Sequence, residues 1–194
     1  TLMYPLIFIT MLLIYGVSLW WMGAAGLCAA AALPVLWHFM DQGHRERILV
    51  VFDPAISEKR AWHAKQTVMA ISNGQLTGDG YLHGARTQGG WIPEAHCDSI
   101  FAVCAEEFGF IGAMVLLALL TALVLRIFYD CWRATDTFSA MVCAGVGGMF
   151  LWQIAINVTM NLGVFPVIGL TLPLVSSGGS SVLITLASLG LVCG

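Results

Sequence analysis

The stretch Pro93-Glu94-Ala95-His96-Cys97-Asp98-Ser99 places two carboxylates four residues apart with an imidazole between them. A carboxylate within hydrogen-bond reach of a reacting hydroxyl can take its proton, and a nearby histidine can orient that carboxylate or meet an anion. Asp98 or Ser99 can equally cap a helix that starts behind them. Pro93 restricts the backbone on the approach to this group. Glu106 and Glu107 follow, and then residues 108–125, FGFIGAMVLLALLTALVL, carry no charged side chain at all. The expected place for such charges is a rim where water meets a bilayer, with Glu106 and Glu107 in a structural role there, pairing with basic residues earlier in the chain.

The elements that must position them are set by composition. Of the 194 residues, 59% are hydrophobic and 10% charged, with a mean hydropathy of +0.86. A soluble domain carries about 25% charged residues. So apolar a chain cannot cover a water-facing surface and reads as an integral membrane protein. The net charge of −3 gives no sign of nucleic-acid binding. Six cysteines form no Cys-x-x-Cys pair, and most lie in apolar stretches, so they read as small packing residues rather than a disulfide or metal framework. The chain begins at Thr1 and stops at Gly194 inside an apolar run, the expectation for a piece of a longer membrane protein.

Residues 2–40 are too long for one crossing of about 20 residues. They divide near Gly23–Gly26 into expected spans 2–22 and 25–40, with Trp20 and Trp21 at an interface. The polar segment 41–98 carries seven acids and six of the eight Lys and Arg residues: Arg45, Arg47, Lys59, Arg60, Lys65 and Arg86. Within it, RILVVF and WHAKQTVMAI read as short interfacial elements, and six glycines between 74 and 90 mark turns. Further spans are expected at 99–125, 138–162 and 178–194, with a polar link over 126–137. Gln153, Asn157 and Asn161 stand four apart on one helix face and read as interhelical hydrogen bonders, with the lining of a substrate groove as the alternative. SSGGSS, 176–181, reads as a site of close helix approach, with its hydroxyls a second choice as substrate contacts. By Lys and Arg count alone the long loop would face the cytoplasm, but that rule is weak for loops of this length.

Three stretches, in order, resemble the SEDS family of shape, elongation, division and sporulation proteins, typified by FtsW and RodA: QTVMAISNGQLTGDG (66–80), IPEAHCDSIFAVCAEEFGFIG (92–112) and NLGVFPVIGLTLPLVSSGGSS (161–181). HRERILVVFDP, 44–54, is similar to the Arg-rich entry to the same loop. Cys97 stands where the family usually has Thr, and Ser177 where it commonly has Tyr. The resemblance implies an all-α, polytopic membrane protein, here the C-terminal half with about five transmembrane helices and one large extracytoplasmic loop, 41–98, in the bacterial cytoplasmic membrane.

It also implies a peptidoglycan glycosyltransferase that polymerises lipid II, an undecaprenyl-diphosphate-linked precursor, during division or elongation. Expected partners are a class B penicillin-binding protein transpeptidase and other division or elongation proteins. Asp98 matches the family's catalytic acid and would act as general base toward the acceptor sugar hydroxyl. Glu94, His96, Lys65, Arg86 and Gln66 are the residues expected to bind substrate. A divalent cation, Mg or Mn, bridging diphosphate and Asp98 is chemically reasonable, although no ligand cluster is visible in the sequence. This half alone is expected to be inactive. Two rival readings, a flippase or transporter for the lipid-linked precursor and a non-catalytic scaffold for a transpeptidase, differ in not requiring the Asp98 carboxylate.

Overall fold

The computed structural model describes residues 3–16, 20, 23, 38, 42–53, 58–92 and 94–193. Within them lie helices α1 (Met3–Tyr15), α2 (Gln42–Phe52), α3 (Glu58–Asn73), α4 (Ala85–Gln88), α5 (Ile100–Arg133), α6 (Thr137–Asn161) and α7 (Gly179–Cys193), and no strand among the described residues. The all-α expectation therefore stands. The expected span 25–40 lies outside the described residues apart from His38, as does Pro93.

α6 is the hub. It packs along α5 and α1 and also touches α3 and α7. The largest core cluster joins Val124, Ile127 and Cys131 of α5 to Cys143, Ala144 and Phe150 of α6, with Met11 of α1 and Leu189 of α7 against it. α5 has mean hydropathy 2.6 over its most apolar window, yet only 22% of that window is buried. A core helix of a soluble protein would hide such a face, so this one reads as facing lipid. By length and composition, α5 and α6 can both cross a membrane.

Two expectations change in the structure. The link expected at 126–137 is mostly helix, because α5 runs on to Arg133. Nothing in 126–133 breaks a helix, and Arg126 Nε meets Asp130 Oδ2 at 3.1 Å across one turn. The second change is that α5 is interrupted at Gly109, with φ 66° and ψ −167°. An unbroken helix would pair the N–H groups of Phe110 and Ile111 with the carbonyls of Glu106 and Glu107. Here the turn after α3 is inserted between them. Phe110 N donates to Gln75 O at 2.9 Å and Ile111 N to Leu76 O at 3.2 Å. Asp79 N donates to Glu106 O and Gly80 N to Glu107 O, both at 3.0 Å. The carbonyls of Glu106 and Glu107 and the N–H groups of Phe110 and Ile111 are thus all satisfied by the turn.

This contact demands glycine on both sides. A Cβ on Gly109 would lie 2.3 Å from Gly78 N, and one on Gly78 would lie 2.2 Å from Glu107 O. The Gly109 dihedrals also belong to a region that side chains rarely enter, at a cost of about 1–3 kcal/mol. Gly109→Ala is accordingly expected to lower thermal stability in detergent by several degrees, whereas Gly190→Ala, in α7 with nothing within 4 Å of its added methyl, leaves it unchanged or raised. Melting the purified variants side by side checks this.

Candidate functional site

The segment between the turn region and α5 is not a free loop. Three consecutive carbonyls, those of His96, Cys97 and Asp98, are each held by a side chain from the C-terminal part of the chain. Ser177 gives both its N–H, at 3.0 Å, and its hydroxyl, at 2.8 Å, to His96 O. Ser176 Oγ donates to Cys97 O at 2.5 Å while accepting from Leu172 N at 2.8 Å. Asn157 Nδ2, at 2.9 Å, and Asn161 Nδ2, at 3.0 Å, both donate to Asp98 O. Asn157 also reaches Leu170 O at 2.6 Å, so one amide ties α6, the 163–177 segment and the Asp98 loop together. At the start of the segment, Glu94 adopts φ 49°, and its carbonyl accepts from Cys97 N at 2.9 Å.

The asparagines expected to bond helix to helix therefore bond helix to loop. The serines expected to allow close helix approach serve as donors. The Asp98 cap reading is also replaced: α5 starts at Ile100 with Ser99 at the N-cap position and no side-chain cap bond.

This clamp shapes a solvent-open cleft of about 310 Å³ lined by His63, Thr67, Glu94, Asp98, Ser99, Met160, Asn161 and Val167. Asp98 Oδ1 and Asn161 Oδ1 are both buried and accept no hydrogen bond in the structure. Two orphaned acceptors in one cleft call for a ligand that brings N–H or O–H donors. Burial pushes the Asp98 carboxyl above the ordinary aspartate value. The charge of Glu94 adds to that, while its own backbone N–H, the charge of His63 and the Ser99 hydroxyl pull the other way.

Of the residues expected at the site, Asp98 and Glu94 meet in this cleft. His96 is exposed and contributes its carbonyl to the clamp. Lys65 is exposed on α3 and is not part of the cleft lining. Gln66 and Arg86 come together elsewhere, with Arg86 Nη1 donating to Gln66 Oε1 at 2.5 Å. Asn73, with its amide oriented to suit its neighbours, accepts from Arg86 Nε at 3.1 Å. Glu106 explains the arrangement and corrects an expectation. It is not on a wet rim but fully buried, and it accepts from Arg86 N, Thr87 N and Thr87 Oγ1 at 2.8, 3.0 and 2.6 Å. The carboxyl so pins the start of α4, and with it Arg86, onto α5. Glu107 is likewise buried.

Sequence reasoning missed His63 and Thr67 as cleft residues. They lie four apart on α3, one turn of one face, and that spacing was the available signal. For a cation, the described residues hold no group of three or more His, Cys, Asp and Glu side chains able to ligate one.

The comparisons with known proteins agree with this architecture. The description of the FtsW/RodA/SpoVE cell cycle proteins matches residues 1–194, the whole chain. This chain belongs to that family. Peptidoglycan glycosyltransferase MrdB of Escherichia coli K12 is 38% identical over 183 residues, covering 93% of this chain and 50% of MrdB. A probable peptidoglycan glycosyltransferase FtsW of Thiomicrospira cyclica is 46% identical over 135 residues, 68% of this chain and 34% of that protein. Among solved structures, a chain of a peptidoglycan synthase complex, described as coordinating polymerization and crosslinking, superposes with a TM-score of 0.75 at 33% identity, over 98% of this chain and 53% of that one. The rod shape determining protein RodA of Thermus thermophilus matches at 41% identity and a TM-score of 0.50, over 60% of this chain and 36% of its own. The chain thus spans about half the length of the relatives it matches, and like them it is a helical membrane protein.

The clamp makes an asymmetric prediction. Asn157→Ala takes the Asn157 donor from the part-buried Leu170 carbonyl, a loss of about 1–3 kcal/mol, and leaves the Asp98 carbonyl with Asn161 alone. Ser177→Ala removes an exposed hydroxyl whose carbonyl partner keeps the Ser177 N–H and can meet water. Thermal unfolding in detergent is expected to show a clear loss for the first and little change for the second.

Proposed function

We propose that this chain carries the base-bearing half of a peptidoglycan glycosyltransferase that polymerises lipid II on the outer face of the bacterial cytoplasmic membrane. Kinship to MrdB, FtsW and RodA supports the reaction class. The observation that carries the residue assignment is the Asp98 carboxylate, its Oδ1 buried without a donor in an open cleft while its own carbonyl is fixed by two asparagines. The acceptor sugar's hydroxyl donates to Asp98 and gives up its proton as its oxygen attacks the anomeric carbon of the donor. The bond from that carbon to the diphosphate breaks, and the diphosphate lipid leaves with the electron pair. A single carboxylate is enough, because diphosphate departs without help from an acid. Asn161 Oδ1, the second orphaned acceptor, offers the acceptor sugar another anchor. Lys65, Arg86, Gln66 and His96 belong to the same polar segment as Asp98, and the two cations among them supply the charge that a diphosphate-linked substrate needs. A class B penicillin-binding protein transpeptidase is the fitting partner, since a polymerase yields strands that need crosslinking.

Asp98→Asn keeps the size of the side chain and leaves the carbonyl clamp untouched. General-base catalysis is typically worth 10²–10⁴-fold. In the full-length protein the substitution should therefore cost at least about a hundredfold in lipid II polymerisation with membrane insertion unchanged. Near-normal polymerisation by a folded Asp98→Asn protein would remove Asp98 from the mechanism, and a flippase or scaffold would regain ground.

The environment of Asp98 sets the pH behaviour. The base must be ionised, and a raised pKa keeps the inactive protonated form to higher pH than an ordinary aspartate would. Activity is expected to fall as pH drops through that value. Glu94→Gln removes a charge that raises it and should move the acid limb to lower pH, while His63→Gln removes a charge that lowers it and should move the limb to higher pH. Rate profiles of polymerisation against pH for the three proteins read this directly.

A further inference from the structure

The turn Gly74-Gln-Leu-Thr-Gly-Asp-Gly-Tyr-Leu82 lies in a loop expected to be bathed in water, yet it is not built for water. Leu76, Tyr81 and Leu82 are 66%, 67% and 58% exposed. The backbone of the same turn is turned inward: Gln75 O, Leu76 O, Asp79 N and Gly80 N are all spent on the break in α5. A surface turn has solvent to satisfy those groups and gains little by such an arrangement. A turn in a layer poor in water must satisfy them within the protein.

The apolar side chains also lead somewhere. The Tyr81 ring lies 6.1 Å from that of Phe108, at the break. From there the exposed apolar face of α5 continues through Phe110, Ile111, Met114, Val115 and Leu119. The turn is therefore continuous with the surface that faces lipid. Its polar members, Gln75, Thr77 and Asp79, and the adjoining His83 are exposed beside the apolar ones, and a tyrosine at such a border is the usual occupant of the membrane interface.

We propose that residues 74–82 form an interfacial foot, seated in the bilayer leaflet that borders the long loop. Leu76 and Leu82 enter the upper acyl region, and Tyr81, Asp79 and His83 lie at headgroup level. Because the foot is hydrogen-bonded to residues 106–111 of α5, it sets the depth at which that helix rides. Asp98, which precedes the first turn of the same helix, is held at a fixed height above the lipid. The partner is the bilayer itself, and the inference does not depend on the reaction assigned above.

The test uses the full-length protein with its cysteines replaced and one cysteine introduced by Leu76→Cys or Leu82→Cys, labelled with an environment-sensitive fluorophore. Both side chains are exposed, so folding should survive, and Tyr81→Cys serves if either variant fails. The proteins are reconstituted in phosphatidylcholine vesicles with or without bromine atoms near the top of the acyl chains. Gln88→Cys, exposed on α4, is the reference. The foot predicts emission shifted to the blue of the Gln88 label, quenching by the brominated lipid and little quenching by aqueous iodide. Quenching by iodide without quenching by bromolipid would overturn it, placing the turn in water. Insensitivity to both would overturn it as well, because the turn would then be covered by protein.

Discussion

Backbone groups that leave regular helix and are buried must find hydrogen-bond partners inside the protein, because a stranded buried group costs several kcal/mol. Most of this structure can be understood as the way that requirement is met. It arises twice. Residues 106–111 interrupt α5, and the turn after α3 supplies two acceptors and two donors to the break. Residues 96–98 lie outside any helix, and their carbonyls take donors from Ser177, Ser176, Asn157 and Asn161. Both solutions stitch together parts of the chain far apart in sequence.

The second solution makes the site. Once the carbonyl of Asp98 is fixed by α6, its side chain has little choice of direction, and the carboxyl sits half-buried where a neutral or hydrogen-bonded state is favoured. Catalytic groups are more precise when their supporting shell is held by packed elements than when they hang from a free loop. The loop here is irregular in conformation but has the rigidity of the helices that grip it. The PEAHCDS segment thus owes its geometry as much to the asparagines near the end of α6 as to its own residues.

Glu106 plays a comparable part for the basic side. A fully buried carboxyl with three donors is an anchor. It holds the one-turn helix α4, and through the backbone of Arg86 it fixes where a guanidinium stands, while Gln66 and Asn73 fix how that group points. The acidic and basic halves of the loop are in this way both held by helices, the first by α6 through Asn157 and Asn161 and the second by the start of α5 through Glu106.

Much of this was legible in the sequence alone. The hydropathy of 108–125 and the scarcity of charge dictated a helical membrane chain, because nothing else can hide so much apolar surface. The order of three motifs pointed to the family, and the crowding of Glu94, His96 and Asp98 before an apolar run pointed to a reactive edge. Other things only the tertiary structure could decide. Periodicity places Asn157 and Asn161 on one face but does not say whether that face meets a helix or a loop, since both offer carbonyls. The spacing of His63 and Thr67 shows a shared face but not the cleft behind it. Glu106 reads as a charge at a wet rim, because its three donors lie about twenty residues earlier in the chain. Partners of that kind are set by which segments the fold brings side by side, and local sequence carries no record of them.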